Sequence, residues 1–433
     1  MTAEIAILNR SALALAADSA VTITVGRKNK VYDTAEKLFE FSRKQPIALM
    51  IYNNVEYVGV PLDVLIRKFR TAHDEPIRPA KYKPFATLKD AADQFLEYLR
   101  GFDHDLEEEE KHLYFALRER LRPVARVAAG EIQDTLFKGM MAGKTPTISP
   151  ADIATKHIKQ AIEHEKLNLL PGYLSDVTLT KFRARFGESI KRLAADLFKG
   201  IVQKPSLISA CVRLGYHVMK SCEPSEMVTG LVFGGFATKD MFPTLHYLEM
   251  DGIYFGQIKI TSRNEVDIDR RRTRAEVVPF AQKEMVERFM YGLDTDLESD
   301  IHTFVDNAID QTLSASGKLT DKAKASAKLK IANTFGGMIG NLKERSRQDL
   351  LDIVYFMSKK ELADIAYALV ELTSQKRRFS TEEQSVGGPI DVAILTKSEG
   401  LVWIKRKHYF GPETNQGYYS RVFGRLIGGS HEE

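Results

Sequence analysis

The sequence predicts an α+β chain in which two β-sheets pack face to face under a cover of helices. Three observations carry this. Strand-like apolar runs occupy the first sixty residues, a middle block after residue 226 and a short block near the C-terminus. Helical periodicity fills the two stretches between them. Hydrophobic residues make up 44% and charged residues 28% of 433 residues, the balance of a globular chain long enough for one large domain or two to three ordinary ones. Two stacked sheets satisfy the order strands, helices, strands, helices, strands; other α+β arrangements fit the same string.

Thr2 to Leu8 and Ala12 to Ala17 are apolar runs separated by Asn9-Arg10-Ser11, the pattern of a β-hairpin. Lys37 to Phe41 and Ile47 to Tyr52 form a second strand pair. From Pro61 the pattern turns helical, with Leu62, Leu65, Ile66 and Phe69 on one face, and Pro61 suits the first turn, where a missing N–H costs nothing. Residues 87–225 are mostly helical, with breaks at Gly143 to Pro150, Pro171-Gly172 and Pro205, and the acidic run Asp103 to Glu110 is expected as a solvated helix end. Strands return at Met227 to Phe236, Thr244 to Met250 and Ile253 to Ile260, with turns at Lys239-Asp240 and Asp251-Gly252. Helices resume from about Ala281 to Gln375, and Ile390 to Thr396 pairs with Leu401 to Lys405. The resulting division is a discontinuous core at 1–80 and 226–425, a helical insertion at 81–225 and a flexible tail at 426–433.

Lys and Arg number 62 against 58 Asp and Glu, a net charge of +4 too small to point to nucleic acid. Cys211 and Cys222 are the two cysteines, which excludes a disulfide framework and a C-x-x-C zinc site. No run of about 18 apolar residues spans a bilayer. The N-terminus lacks a basic start, and Asn9, Arg10 and Ser11 break its apolar part, so it is a poor signal peptide. Together with the two cysteines this implies a cytoplasmic protein.

The N-terminal hairpin carries the chemistry. With the turn centred on Arg10, residue i faces residue 20 − i, and Thr2 faces Asp18 at a Cβ separation of about 4.5–5.5 Å. An edge threonine and a strand-ending aspartate account for the same pair. Met-Thr, however, is a start from which Met1 is trimmed, and a terminal threonine carries a hydroxyl beside its own α-amine. That amine titrates near pH 7.7–8.0 in the absence of neighbours, roughly where a general base is wanted. A nearby lysine would push it toward the neutral form, and a carboxylate would hold the lysine in place.

The segment TAEIAILNRSALALAADSAVT resembles the start of mature proteasome β-subunits and of bacterial proteasome-like peptidases, with the Thr-to-Asp spacing and the AADS string shared. The resemblance implies a four-layer αββα sandwich, the N-terminal-nucleophile hydrolase fold, with a helical insertion. It implies Thr2 as nucleophile and Asp18 as the catalytic aspartate. The lysine falls best on Lys37 in AEKLFEF, with Lys28 and Lys30 as weaker matches. Asn53, in MIYNNVEYVG, stands where the family has a glycine whose N–H binds the oxyanion. Ser385, with Glu382 or Glu383, falls on the positions that support the terminal threonine. VTGLVFGGFATKDMFPTLHYLEMDGIYFGQIKI resembles the family's second sheet, with His246 at an aromatic position, and KKELADIAYALVELTS with SVGGPIDVAILTKSEGLVWI resembles its late helix and closing strands. The implied activity is threonine-type amide hydrolysis of a polypeptide or small amide without metal or cofactor, in a homo-oligomer with an ATPase unfoldase as partner. A non-catalytic scaffold subunit and a small-molecule amidase on the same fold are the alternatives.

Other signals have plainer accounts. GMMAGKT at 139–145 lacks the first glycine of a phosphate loop, with Lys138 in its place. His157 and His164 lie two helical turns apart, about 10.5 Å of rise and too far for one metal ion. Arg270 to Arg272 with Arg274, and Lys376 to Arg378, suit a solvated or subunit-contact role. Trp403 suits packing.

Overall fold

A computed structural model describes residues 3–25, 28–75, 82–141, 149–201, 204–315, 320–379, 387–408, 410, 412–417 and 420. The chain is mixed α+β, with two antiparallel five-stranded sheets.

The first sheet is built on β1 (Ala3–Asn9) and β2 (Leu13–Ala17), both buried along their whole length. Apart from Glu4 and Asn9 they are apolar on both faces, because both faces are covered. β1 pairs on its other side with β12 (Ala275–Ala281), and β2 with β13 (Asp391–Thr396), which pairs with β14 (Gly400–Lys405). The second sheet runs β11 (Gln257–Asp267), β10 (Thr244–Tyr254), β9 (Thr229–Gly235), β6 (Ile47–Asn53), β5 (Leu38–Ser42). Alternation along the strands divides the core. Ala6, Leu8, Leu13 and Leu15 share a cluster with Leu38, Ala48, Met50, Val232 and Leu245 of the second sheet. The opposite side chains of the first sheet, Ile5, Ile7, Ala14, Ala16, Val392 and Ile394, meet α7 (Glu284–Tyr291), the end of α9 (Asp321–Phe356) and α10 (Lys359–Arg378). Phe39, Phe41, Leu49, Ile51 and Phe233 of the second sheet meet α1 (Leu62–Asp74) and α2 (Leu88–Arg100). The expected apolar face of α1 is the buried one.

Between α2 and β9 lie α3 (Leu106–Met141), α4 (Pro150–Leu167), α5 (Leu179–Leu197) and α6 (Pro205–Lys220). These four share their own core, around Phe182, Phe186, Leu117 and Leu214, which Tyr254 of β10 joins to the sheet. α2, placed by the sequence in the insertion, packs with α1 on the second sheet. α8 (Thr295–Ala315) and α9 form a long helical hairpin.

Four expectations need correction. The N-terminal register is i with 21 − i, since Glu4 pairs with Ala17 and Leu8 with Leu13. Asn9 N donates to Ala12 O at 3.1 Å, and Asn9 Oδ1 accepts from Ser11 N and Ala12 N. This Asx-stabilised turn has two central residues, so its centre falls between Arg10 and Ser11 rather than on Arg10. Second, Asp251-Gly252 is not a turn but an irregularity inside β10; the turn is Phe255-Gly256, both at positive φ, with Tyr254 opposite Gln257. Third, Glu109 in the acidic run is buried, accepting from Arg185 Nε at 2.9 Å. Fourth, the expected pattern omits β12 and the hairpin of β3 (Val21–Val25) with β4 (Lys28–Tyr32). β12 contains Pro279, which argues against a strand unless it lies at an edge, and β12 is an edge strand.

Candidate active site

The site forms where β2 ends. Asp18 N continues the ladder by donating to Ala3 O at 3.1 Å, and Ala3 N donates to Asp18 Oδ1 at 3.2 Å. The corrected register therefore puts Asp18 level with Ala3. Residue 2 is bonded directly to Ala3, and consecutive Cα atoms are about 3.8 Å apart.

Lys37, one residue before β5, aims its ammonium across to the first sheet. Its Nζ lies 2.5 Å from Asp18 Oδ1 and 3.5 Å from Glu4 Oε1, and all three side chains are fully buried. Two carboxylates thus surround one cation in the interior. Such a group persists only when each charge has its partners, because removing one leaves an uncompensated buried charge. Ile51 N donates to Lys37 O at 2.9 Å, which fixes this residue against β6.

The second Asp18 oxygen accepts from Gly387 N at 3.0 Å. Ser19 holds the same strap: its N donates to Gly387 O at 3.2 Å and its Oγ to Pro389 O. Ser19 O accepts from Ala35 N at 3.1 Å, tying in the segment that leads to Lys37. Gly388 has φ +76°, and a Cβ there would lie 2.7 Å from Asp33 Cβ and 2.8 Å from Asp33 O. Only glycine fits this approach. Sequence reasoning includes Gly387-Gly388 in the SVGGPIDVAILTKSEGLVWI segment but misses the contact with Asp18, and it misses Glu4. The signal for Glu4 is a charged residue at the start of an otherwise apolar strand.

Asn53 ends β6, opposite Thr229, with φ +64°. Asparagine is among the few residues other than glycine that tolerate this left-handed conformation. Asn54 N, the next amide, donates to Val228 O at 3.1 Å.

Of the five residues singled out by the sequence, Asp18 and Lys37 meet, and Asn53 stands two residues beyond the β6 amide that holds Lys37. Thr2 and Ser385 lie outside the described residues, as do Glu382 and Glu383. Lys28 and Lys30 fall on β4, in a separate two-stranded sheet, with Lys30 exposed.

The remaining signals fall elsewhere. Of the GMMAGKT segment, residues 142–145 lie outside the described residues. His157 pairs with Glu131 and His164 with Glu223. Arg274 pairs with Asp352 and Arg377 with Glu284. Trp403 packs against the cluster between the sheets. Burial pushes the Cys211 thiol up to about 12, which makes it inert. Among the described residues no group of three His, Cys, Asp or Glu is placed to hold a metal ion, and no helix is long and apolar enough to cross a membrane.

His246 is buried on β10, and neither ring nitrogen has a hydrogen-bond partner among the described residues. Burial, aided by the Arg263 charge, lowers its pKa to about 4. It serves as an uncharged ring at the position where the sequence resemblance has an aromatic.

No family model matches the chain, and no curated protein matches it significantly.

Proposed function

We propose that the chain is a threonine-type N-terminal-nucleophile hydrolase, a four-layer αββα sandwich of the proteasome β-subunit kind, that cleaves amide bonds with Thr2 once Met1 is removed. The observation that carries this reading is the buried Asp18–Lys37 pair at 2.5 Å, bonded through Asp18 to the amide of Ala3, the residue next to Thr2. A structural ion pair has no need of that address. Two inner sheet faces that share one core, with helices against each outer face, support the architecture.

In this mechanism Thr2 Oγ attacks the substrate carbonyl carbon, and its proton passes to the Thr2 α-amine. The tetrahedral oxyanion collapses, the C–N bond breaks, and the amine-held proton leaves with the departing nitrogen. Water then attacks the ester and regenerates Thr2. Lys37 favours the neutral, proton-accepting amine, because neighbouring cations disfavour each other. Asp18 holds Lys37 and the Ala3 amide together. A backbone N–H near Asn53 serves the oxyanion, a contribution of about 2.7–4 kcal/mol for one such donor; the left-handed φ of Asn53 keeps the backbone course that glycine would take. The substrate is a polypeptide or small amide, and no cofactor enters the chemistry. By the same resemblance an ATPase unfoldase is the partner that would deliver a folded polypeptide.

The test is intact mass with peptide mapping after exposure to a β-lactone directed at N-terminal threonine. Loss of Met1 with one adduct on Thr2 is the expected result. A free Thr2 that stays unlabelled while the chain is folded overturns the reading in favour of a scaffold subunit.

A further inference from the structure

Asn53 holds its left-handed backbone at the end of β6, and the residue before it is clamped from three directions. Tyr52, Gly230, Glu249 and Ser262 are successive partners across β6, β9, β10 and β11. All four therefore share the face that Met50 and Val232 turn toward the first sheet.

The Tyr52 ring lies over Gly230. A Cβ on that glycine would stand 2.0 Å from Cε1 and Cζ of the ring, so the ring has its place only because residue 230 carries no side chain. Glu249 is two strand spacings away, about 9.6 Å, and the Tyr52 OH donates to its Oε1 at 3.1 Å. Ser262 Oγ donates to the other carboxylate oxygen at 3.0 Å, which fixes the acceptor in turn. From the first sheet Phe280 stacks on the ring, with centroids 5.4 Å apart and planes 28° apart. Phe280 is the β12 partner of Glu4, whose carboxylate lies 3.5 Å from Lys37 Nζ. Burial first, then the Glu249 charge and hydrogen bond, raise the phenol pKa, so the OH keeps its proton and acts as the donor. Packing alone asks only for a ring at this position; the bond across β9 asks for the hydroxyl.

The clamp acts on a particular peptide. Amides two residues apart along a strand point the same way. Ile51 N donates to Lys37 O, and Asn54 N donates to Val228 O on the opposite side, so the Asn53 amide leaves β6 on the Lys37 side. We propose that Tyr52, anchored by Glu249, is a positioning residue that sets the direction of the Asn53 amide toward the oxyanion. The proposal rests on the hydrolase reading above. Turning the peptide between residues 52 and 53 changes the backbone angles of Tyr52, and its ring could follow only by leaving Gly230, Phe280 and Glu249.

The test is β-lactone labelling of the folded full chain, resolved into a maximal acylation rate and a half-saturating concentration, with thermal unfolding of each variant. Tyr52→Phe keeps the ring and loses the bond to Glu249. It is expected to lower the maximal rate about tenfold or more and to leave half-saturation unchanged. Glu249→Leu is expected to match it, and Glu249→Gln, which keeps an acceptor, to retain most of the rate. Tyr52→Phe with Glu249→Leu should lose no more than either alone, because both remove the same contact. A role in stability alone would lower the melting midpoint and leave the rate of the folded chain in place. An unchanged maximal rate for Tyr52→Phe beside a labelled wild type, or losses that multiply in the double variant, overturns the proposal and leaves the hydrolase reading standing. A folded wild type that has lost Met1 and takes no label overturns both.

Discussion

At the scale of single residues, the question is what three buried charges do beside the start of β1. Lys37→Met takes from Asp18 and Glu4 the cation they share, and about 3–5 kcal/mol of stability is expected to go, as for other broken buried pairs. Thermal unfolding reads that loss. Lys37→Met combined with Glu4→Gln relieves part of it, because one buried carboxylate is removed. β-Lactone labelling separates structure from chemistry: the double variant should regain stability but not labelling. Glu4 adds a second prediction. On the proposed mechanism its negative charge would favour the protonated form of the Thr2 amine and so oppose Lys37. Glu4→Gln should therefore move the rise of the labelling rate to lower pH. A pH–rate profile that stays in place would show that Glu4 does not sense the amine.

At the scale of elements, the strap at Gly387 to Pro389 and the ring of His246 make separate predictions. Gly388→Ala asks a Cβ to stand 2.7 Å from Asp33 Cβ at a positive φ, so a loss of more than about 1 kcal/mol is expected. The amide contact from Gly387 to Asp18 should loosen with it, slowing labelling further. His246 has a folded pKa of about 4, below the unfolded value of roughly 6.5. The unfolded chain takes up the proton first, so this residue lowers stability as pH falls from about 6.5 to about 4 and has no such effect above that range. His246→Phe should remove that slope and stabilise the fold by about 1–3 kcal/mol, the cost of burying unmatched polar atoms. Melting curves collected across that pH range check both.

At the scale of the whole molecule, the helical insertion is joined to the second sheet through a buried polar contact inside the irregular part of β10. Asp251 accepts from Ser225 Oγ at 2.6 Å and from Lys259 Nζ at 2.8 Å, while Lys259 also donates to Val218 O of α6. Burial would raise the Asp251 carboxyl, but the Lys259 charge and these hydrogen bonds outweigh it and hold the pKa below the usual range. The contribution is present above the unfolded value of roughly 3.9 and is lost as pH falls through the lower folded value. Lys259→Met should cost about 3–5 kcal/mol. Hydrogen exchange should place the loosening in α6 and β10 rather than across the first sheet.

The division between sequence and structure comes from the range of the interactions. The strand pairs β1–β2, β5–β6 and β13–β14, the apolar face of α1 and the helical breaks at Pro171-Gly172 and Pro205 were legible because each depends on neighbours a few residues away: alternation, i, i+3, i+4 spacing, and Pro or Gly at a boundary. The pairing of Asp18 with Lys37 was reached through resemblance, and the structure supplies its physical form. What only the tertiary structure decided depends on distant chain. An Asx turn shifted the first hairpin by one residue, a change that no composition reports. The partner of β1's outer edge came from β12, whose proline masked it. Glu4 became part of the site because the closing sheets bury it against Lys37, and Gly387 reached Asp18 from 369 residues along the chain. Local patterns fix which segments form strands and helices; which charges end up sharing a dry interior is settled only when the sheets close on each other.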